Sequence, residues 1–112
     1  MRFLLGMLAT VAAQSALGAA REPPGTFSAT VAPGKAHEEC VRVDKGKRMH
    51  YKWRSTVPVD FNIHYHDGAE VFYPVKREGK LSARGILRAK KTEEFCWMWS
   101  ANASAKIEGR IW

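Results

Sequence analysis

The chain has 112 residues, of which 46% are hydrophobic and 26% are charged, and its formal net charge is +7. This length supports one domain, and the apolar content excludes an intrinsically disordered chain. Because no run of about 18 apolar residues follows the first segment, a membrane-spanning helix is not expected.

The first 20 residues have the features of a secretory signal peptide. Arg2 is the early cation, an apolar core follows from Phe3 to about Ala13, and small residues precede Arg21. The pattern predicts export to the periplasm or the cell exterior. Residues 21–26 are interpreted as a flexible lead-in, and residues 27–112 as the domain.

Alternation of apolar and polar residues, which is typical of half-buried strands, recurs through residues 27–112. Asp67-Gly68 indicates a hairpin turn, and Pro74 predicts that its run is an edge strand or has truncated pairing. The pattern predicts an all-β fold, a small antiparallel β-sandwich of seven to eight strands. The candidate strands are Phe27–Val31, His37–Val43, Arg48–Ser55, Val59–His66, Glu70–Val75, Leu81–Leu87, Glu93–Ser100 and Lys106–Trp112.

The only two cysteines, Cys40 and Cys96, both lie after the signal peptide. Since disulfides persist in exported proteins, an even pair favours a structural bridge. Such a bridge would stabilise the domain by about 4 kcal/mol through loop entropy. The alternative is a pair of thiolates that bind a soft metal ion.

The order of motifs resembles the GOLD domain, the β-sandwich of lumenal cargo receptors in the early secretory pathway and of some lipid-transfer proteins. Glu39-Cys40 and Phe95-Cys96 match the early and late cysteine motifs that are bridged in the receptors. The resemblance covers residues 27–112 and implies a module that binds protein or lipid. The receptors' coiled coil and membrane anchor have no counterpart up to Trp112, so transport-vesicle function is not implied.

The densest group of chemically active side chains lies around the predicted hairpin. His64 and His66 are two residues apart in a predicted strand and therefore share a face, and Glu70 follows the turn. Two histidines and a carboxylate form a ligand set for zinc or copper. The alternative is a solvent-facing polar strand. Met98, beside the tryptophans of its strand, would add a soft ligand for copper, although core packing also accounts for it.

The basic residues are dispersed in small clusters, Lys76-Arg77 among them, with acidic residues interleaved. These clusters are interpreted as solvated turns, and weak attraction to anionic envelope lipids or polysaccharide is the alternative. Nucleic-acid binding is not expected, because no recognition-helix pattern occurs. Catalysis is not expected either, since no nucleophile motif is present.

The sequence therefore predicts an exported, non-catalytic binding or accessory module for a protein or lipid ligand, with no cofactor. The alternative is a periplasmic protein that binds zinc or copper through His64, His66, Glu70 and Met98.

Overall fold

The structure, a computed structural model, describes residues 24–112. The predicted signal peptide and residues 21–23 of the lead-in lie outside the described residues. Within the described part the fold is all-β, with six strands that pair only in antiparallel fashion. They are β1 Thr26–Val31, β2 Ala36–Val43, β3 Arg48–Asp67, β4 Glu70–Arg88, β5 Glu93–Ser100 and β6 Ala105–Ile111.

Strand β3 is the centre of the sheet. One of its edges pairs with β4, while the other pairs first with β6 and then with β5. β1 pairs with β6, and β2 pairs with β5. The β3–β4 hairpin therefore joins two halves of one curled sheet, which we call the β6 half (β1, β6 and the adjoining part of the hairpin) and the β5 half (β2, β5 and the rest of the hairpin).

The predicted strand count of seven to eight is corrected to six, because two predicted breaks are irregularities inside long strands. Pro58 lies where the β3–β4 register shifts between Arg54 and Val59, so its missing N–H interrupts no regular ladder. The second predicted break lies between the candidate strands Glu70–Val75 and Leu81–Leu87 and is interpreted from the sequence as a polar turn. In the structure it contains a β-bulge in β4. There Gly79 adopts a positive φ of 62° and donates its N–H to the Asp60 carboxylate at 3.0 Å.

The hairpin turn and the edge strand are confirmed. Asp67 lies opposite Glu70 across the two-residue turn, and Gly68 has the positive φ that such turns need. Among the described strands, β4 pairs with β3 alone. Pro74 lies at the third register shift of the β3–β4 ladder, between the Ile63 and Tyr65 pairs, where a residue without an N–H is tolerated.

The concave side of the sheet holds an aromatic core that joins the two halves. The Trp53 ring, from the β6 half, lies 5.0 Å from that of Phe61 and 6.1 Å from that of Trp99, both in the β5 half. The Tyr51 ring, also from the β6 half, contacts the rings of Phe61 and Trp97 in the β5 half. The predicted alternation in β3 and β5 is confirmed, since these aromatic side chains are buried.

Candidate functional site

The predicted disulfide is present. Cys40 and Cys96 lie directly opposite each other on β2 and β5, and their sulfur atoms are bonded. No free thiol remains in residues 24–112, so within the described chain neither a thiolate metal site nor a thiol nucleophile is available. The bond lies on the convex side of the β5 half, next to His64, which is opposite Cys96 on β3.

His64 is buried rather than solvent-facing, with only 5% of its surface exposed. Its Nδ1 lies 2.7 Å from Asn62 Oδ1, within hydrogen-bond distance. Its Nε2 lies 3.4 Å from a carboxylate oxygen of Glu38 on β2. Burial lowers the pKa of His64, against the opposing effect of the Glu38 charge. The buried ring therefore presents its Nε2 to the Glu38 carboxylate.

The structure brings together only some of the predicted metal ligands. The His66 ring lies 5.4 Å from that of His64, but the His66 side chain is exposed. Met98 lies between Glu38 and Asn62 in the register. Within residues 24–112, the groups of three possible ligand atoms that lie within 4.8 Å of one another include His64 with Glu38 and Cys96, but neither His66 nor Glu70. Sequence reasoning missed Glu38, because only the β2–β5–β3 pairing places it beside His64.

A second site lies between the two arms of β4. Residues 72–75 and residues 86–88 of this strand line one groove of about 440 Å³. The Tyr65 ring stacks on Phe72 at 5.2 Å and meets Phe95 edge-on at 5.2 Å. These rings, with Pro74, Val75 and Leu87, form the apolar part of the lining of the groove. We call it the β4 groove.

Three cations lie at the β4 groove, namely Arg88, Lys90 and Lys91. Lys90 and Lys91 belong to the β4–β5 loop, which two backbone hydrogen bonds between Ala89 and the Gly46-Lys47 turn hold in place. Lys91 Nζ lies 3.4 Å from the Asp67 carboxylate and 6.0 Å from the centre of the Phe72 ring. The groove therefore combines an aromatic floor with a positive rim.

Sequence reasoning interpreted the lysines of this rim as solvated turn residues. Lys90 and Lys91 are indeed exposed. The feature that it missed is their closeness to Phe72, which depends on the curl of β4. The available signal was the pair of adjacent aromatic residues Phe72 and Tyr73 in an edge strand. Both remain partly exposed, although the core is complete without them.

Comparison with solved structures identifies the fold and no more. The chain is similar to the pre-peptidase C-terminal domain of a collagenase from Bacillus anthracis, with a TM-score of 0.59 and 12% identity over 78% of this chain and 87% of that one. It also matches a de novo designed double-stranded β-helix, with a TM-score of 0.46 and 15% identity over 78% of this chain and 97% of that one. No family model and no curated protein matches the chain. The first likeness confirms a small all-β domain.

Among the described residues no helix is long and apolar enough to cross a bilayer. The disulfide and the all-β fold are compatible with an exported protein, because such bonds persist in oxidising compartments.

Proposed function

We propose that the chain is an exported, non-catalytic binding module, and that its β4 groove takes a single-chain lipid with an anionic head group. This proposal rests on one observation, that apolar aromatic side chains and three cations line the same groove. Its volume of about 440 Å³ lies within the range of about 300–1,000 Å³ that small-ligand sites occupy. The assignment to a GOLD-like β-sandwich remains part of this proposal and rests on the two cysteine motifs.

The arrangement favours a ligand with two chemically different ends. Phe72 exposes 38% of its surface, so an alkyl chain that covers its ring removes apolar area from water. A carboxylate or phosphate at the rim would accept charge-assisted hydrogen bonds from Arg88, Lys90 or Lys91. An uncharged lipid would gain only the first of these contributions.

The test is calorimetric titration of residues 21–112 with dodecanoate, below its micelle concentration, and with dodecanol. We expect saturable binding of one dodecanoate per chain and weaker binding of dodecanol. Phe72→Ser is expected to weaken dodecanoate binding about tenfold, because it removes roughly half of the apolar area that an aromatic ring buries against the alkyl chain.

Leu81→Ser is the matched control, since Leu81 is an exposed apolar residue of β4 that does not line the groove. Equal affinity of the Phe72→Ser and Leu81→Ser variants would contradict the proposed site. Equal affinity for dodecanoate and dodecanol would contradict the role of the cations.

The second candidate function is binding of zinc or copper on the convex side of the β5 half. The observation that favours it is the pairing of the buried His64 ring with Glu38, since His64 Nε2 lies 3.4 Å from a carboxylate oxygen of Glu38. An imidazole nitrogen and a carboxylate oxygen are both ligands that zinc accepts. Met98 is paired with both Glu38 and Asn62 in the register, and the His66 ring lies 5.4 Å from that of His64. His66, Met98 and Glu70 remain predicted ligands.

Titration of the chain with Zn²⁺ and with Cu⁺ tests this candidate. We expect one ion per chain, and Glu38→Gln is expected to weaken binding at least tenfold, because a neutral amide is a poor ligand for either ion. Glu39→Gln is the matched control, since Glu39 contacts His37 instead. Unchanged affinity in the Glu38→Gln variant would rule out this site.

A further inference from the structure

The convex side of the β6 half carries an unusual concentration of positive charge, which we call the basic face. Its side chains come from β3, β4 and β6 and from the residue after β6. The cations are Arg48, Lys52, Arg84, Arg88 and Arg110, and the row between them is His50, Ile86 and Trp112.

The cations of the basic face lie directly opposite one another across the strands. Lys52 is paired with Arg84 on β4 and with Arg110 on β6. Arg48 is paired with Arg88. Like charges in directly opposed positions destabilise a sheet, so this arrangement works against the fold by itself.

The chain supplies little compensating negative charge at this place. Glu108 is the carboxylate of the neighbouring register position, and its Oε2 accepts a hydrogen bond from Arg54 at 2.8 Å. Within residues 24–112, none of the five cations has a carboxylate within 4.0 Å. The face is therefore complementary to an anionic surface outside the chain.

An apolar row lies between the two rows of cations. His50 is opposite Ile86 on β4, and it exchanges two backbone hydrogen bonds with Trp112. Ile86 is 53% exposed and Trp112 is 39% exposed. The Trp112 ring stacks on that of His50 at 5.3 Å and lies under the Arg110 guanidinium at 4.6 Å.

We propose that the basic face docks on the surface of an anionic lipid bilayer. Cations beside an exposed tryptophan and an exposed aliphatic residue match the two layers of a membrane interface, in which anionic head groups lie above the acyl chains. A soluble polyanion would compensate the cations but would leave Ile86 in water. The acidic residues of the β5 half, among them Glu38, Asp60 and Glu94, would then lie away from the bilayer.

This inference does not depend on the β4 groove, because Lys52, Arg84, Arg110 and Trp112 do not line it. Each can therefore fail without the other. If both hold, the groove opens beside the docked face, since Ile86 and Arg88 border both.

The test measures co-sedimentation of residues 21–112 with vesicles of phosphatidylcholine alone or mixed with phosphatidylglycerol. This chain retains every described strand and lacks the predicted signal peptide, whose apolar residues would bind lipid by themselves. We expect binding to the mixed vesicles only. Lys52→Gln/Arg84→Gln is expected to weaken it about 25-fold, about fivefold for each charge.

Lys35→Gln/Lys76→Gln is the matched control, because it removes the same net charge outside the basic face. Equal losses in the two double variants would overturn the proposal, since they would indicate attraction by net charge alone. Binding to phosphatidylcholine as strong as to the mixture would also overturn it.

Tryptophan fluorescence separates a bilayer from a soluble polyanion. Trp53, Trp97 and Trp99 are buried, so brominated lipid is expected to quench Trp112 selectively, and Trp112→Phe is expected to abolish the quenching. Heparin binding that depends on Lys52 and Arg84, with no quenching by brominated lipid, would overturn the proposal in favour of a polysaccharide partner.

Discussion

Replacement of Trp99 by alanine is expected to lower the free energy of unfolding by about 3–5 kcal/mol. Trp99 is completely buried, and its ring contacts Phe27, Trp53 and Phe61 at centroid distances of 4.9–6.1 Å. These partners come from β1 and from both parts of β3, so the cavity would open where the two halves of the sheet meet. Urea unfolding of residues 21–112 measures the loss.

Two further variants show whether packing is the cause. Trp112→Ala removes the same side chain from an exposed position and is expected to cost about 1 kcal/mol or less. Trp99→Phe is expected to lose less than Trp99→Ala, because it keeps an aromatic ring and removes an indole Nε1 that has no hydrogen-bond partner among the described residues. A loss for Trp112→Ala equal to that for Trp99→Ala would contradict this core.

Removal of the disulfide is expected to cost about 4 kcal/mol, from the chain entropy that a closed loop of this length takes from the unfolded state. The two cysteines are 56 positions apart in sequence, and the bond holds β2 against β5. The double variant Cys40→Ala/Cys96→Ala, compared with the oxidised chain by urea unfolding, measures this cost.

The entropic explanation also predicts how the loss arises. Ala36–Val43 and Glu93–Ser100 are paired in register along their whole length. We therefore expect the folded state of the variant to keep its sheet and its circular dichroism spectrum. A double variant as stable as the oxidised chain would contradict the explanation. Loss of the sheet under conditions that leave other folded variants intact would mean that the bond is needed for the pairing itself.

The sequence allowed the local features of the fold to be predicted, because they depend on near neighbours. Alternation in Arg48–Ser55 and Glu93–Ser100 identified the buried sides of β3 and β5, and Asp67-Gly68 identified the hairpin. The strand count could not be predicted from local propensity. A proline such as Pro58 normally ends a strand, but it is tolerated at an irregularity inside a long strand. The bulge at Gly79 likewise has the composition of a turn.

Less of the candidate sites could be predicted from the sequence, because each depends on residues that are distant in the chain. His64 was identified, but its partner Glu38 lies on another strand and its burial results from packing around the disulfide. Lys91 meets Phe72 only after β4 curls. The opposed cations Lys52 and Arg84 are separated by 32 positions, so neither appears in the other's local cluster.

Mapping the contact surface of a bound ligand shows directly whether the β4 groove is the binding site. Amide chemical shifts of ¹⁵N-labelled residues 21–112 would be recorded during titration with dodecanoate. If the groove is the site, we expect saturable shifts concentrated in residues 72–75, 86–88 and 90–91. The largest shifts at Lys52, Arg84 and Trp112 or around His64, or no saturable shifts at all, would contradict it.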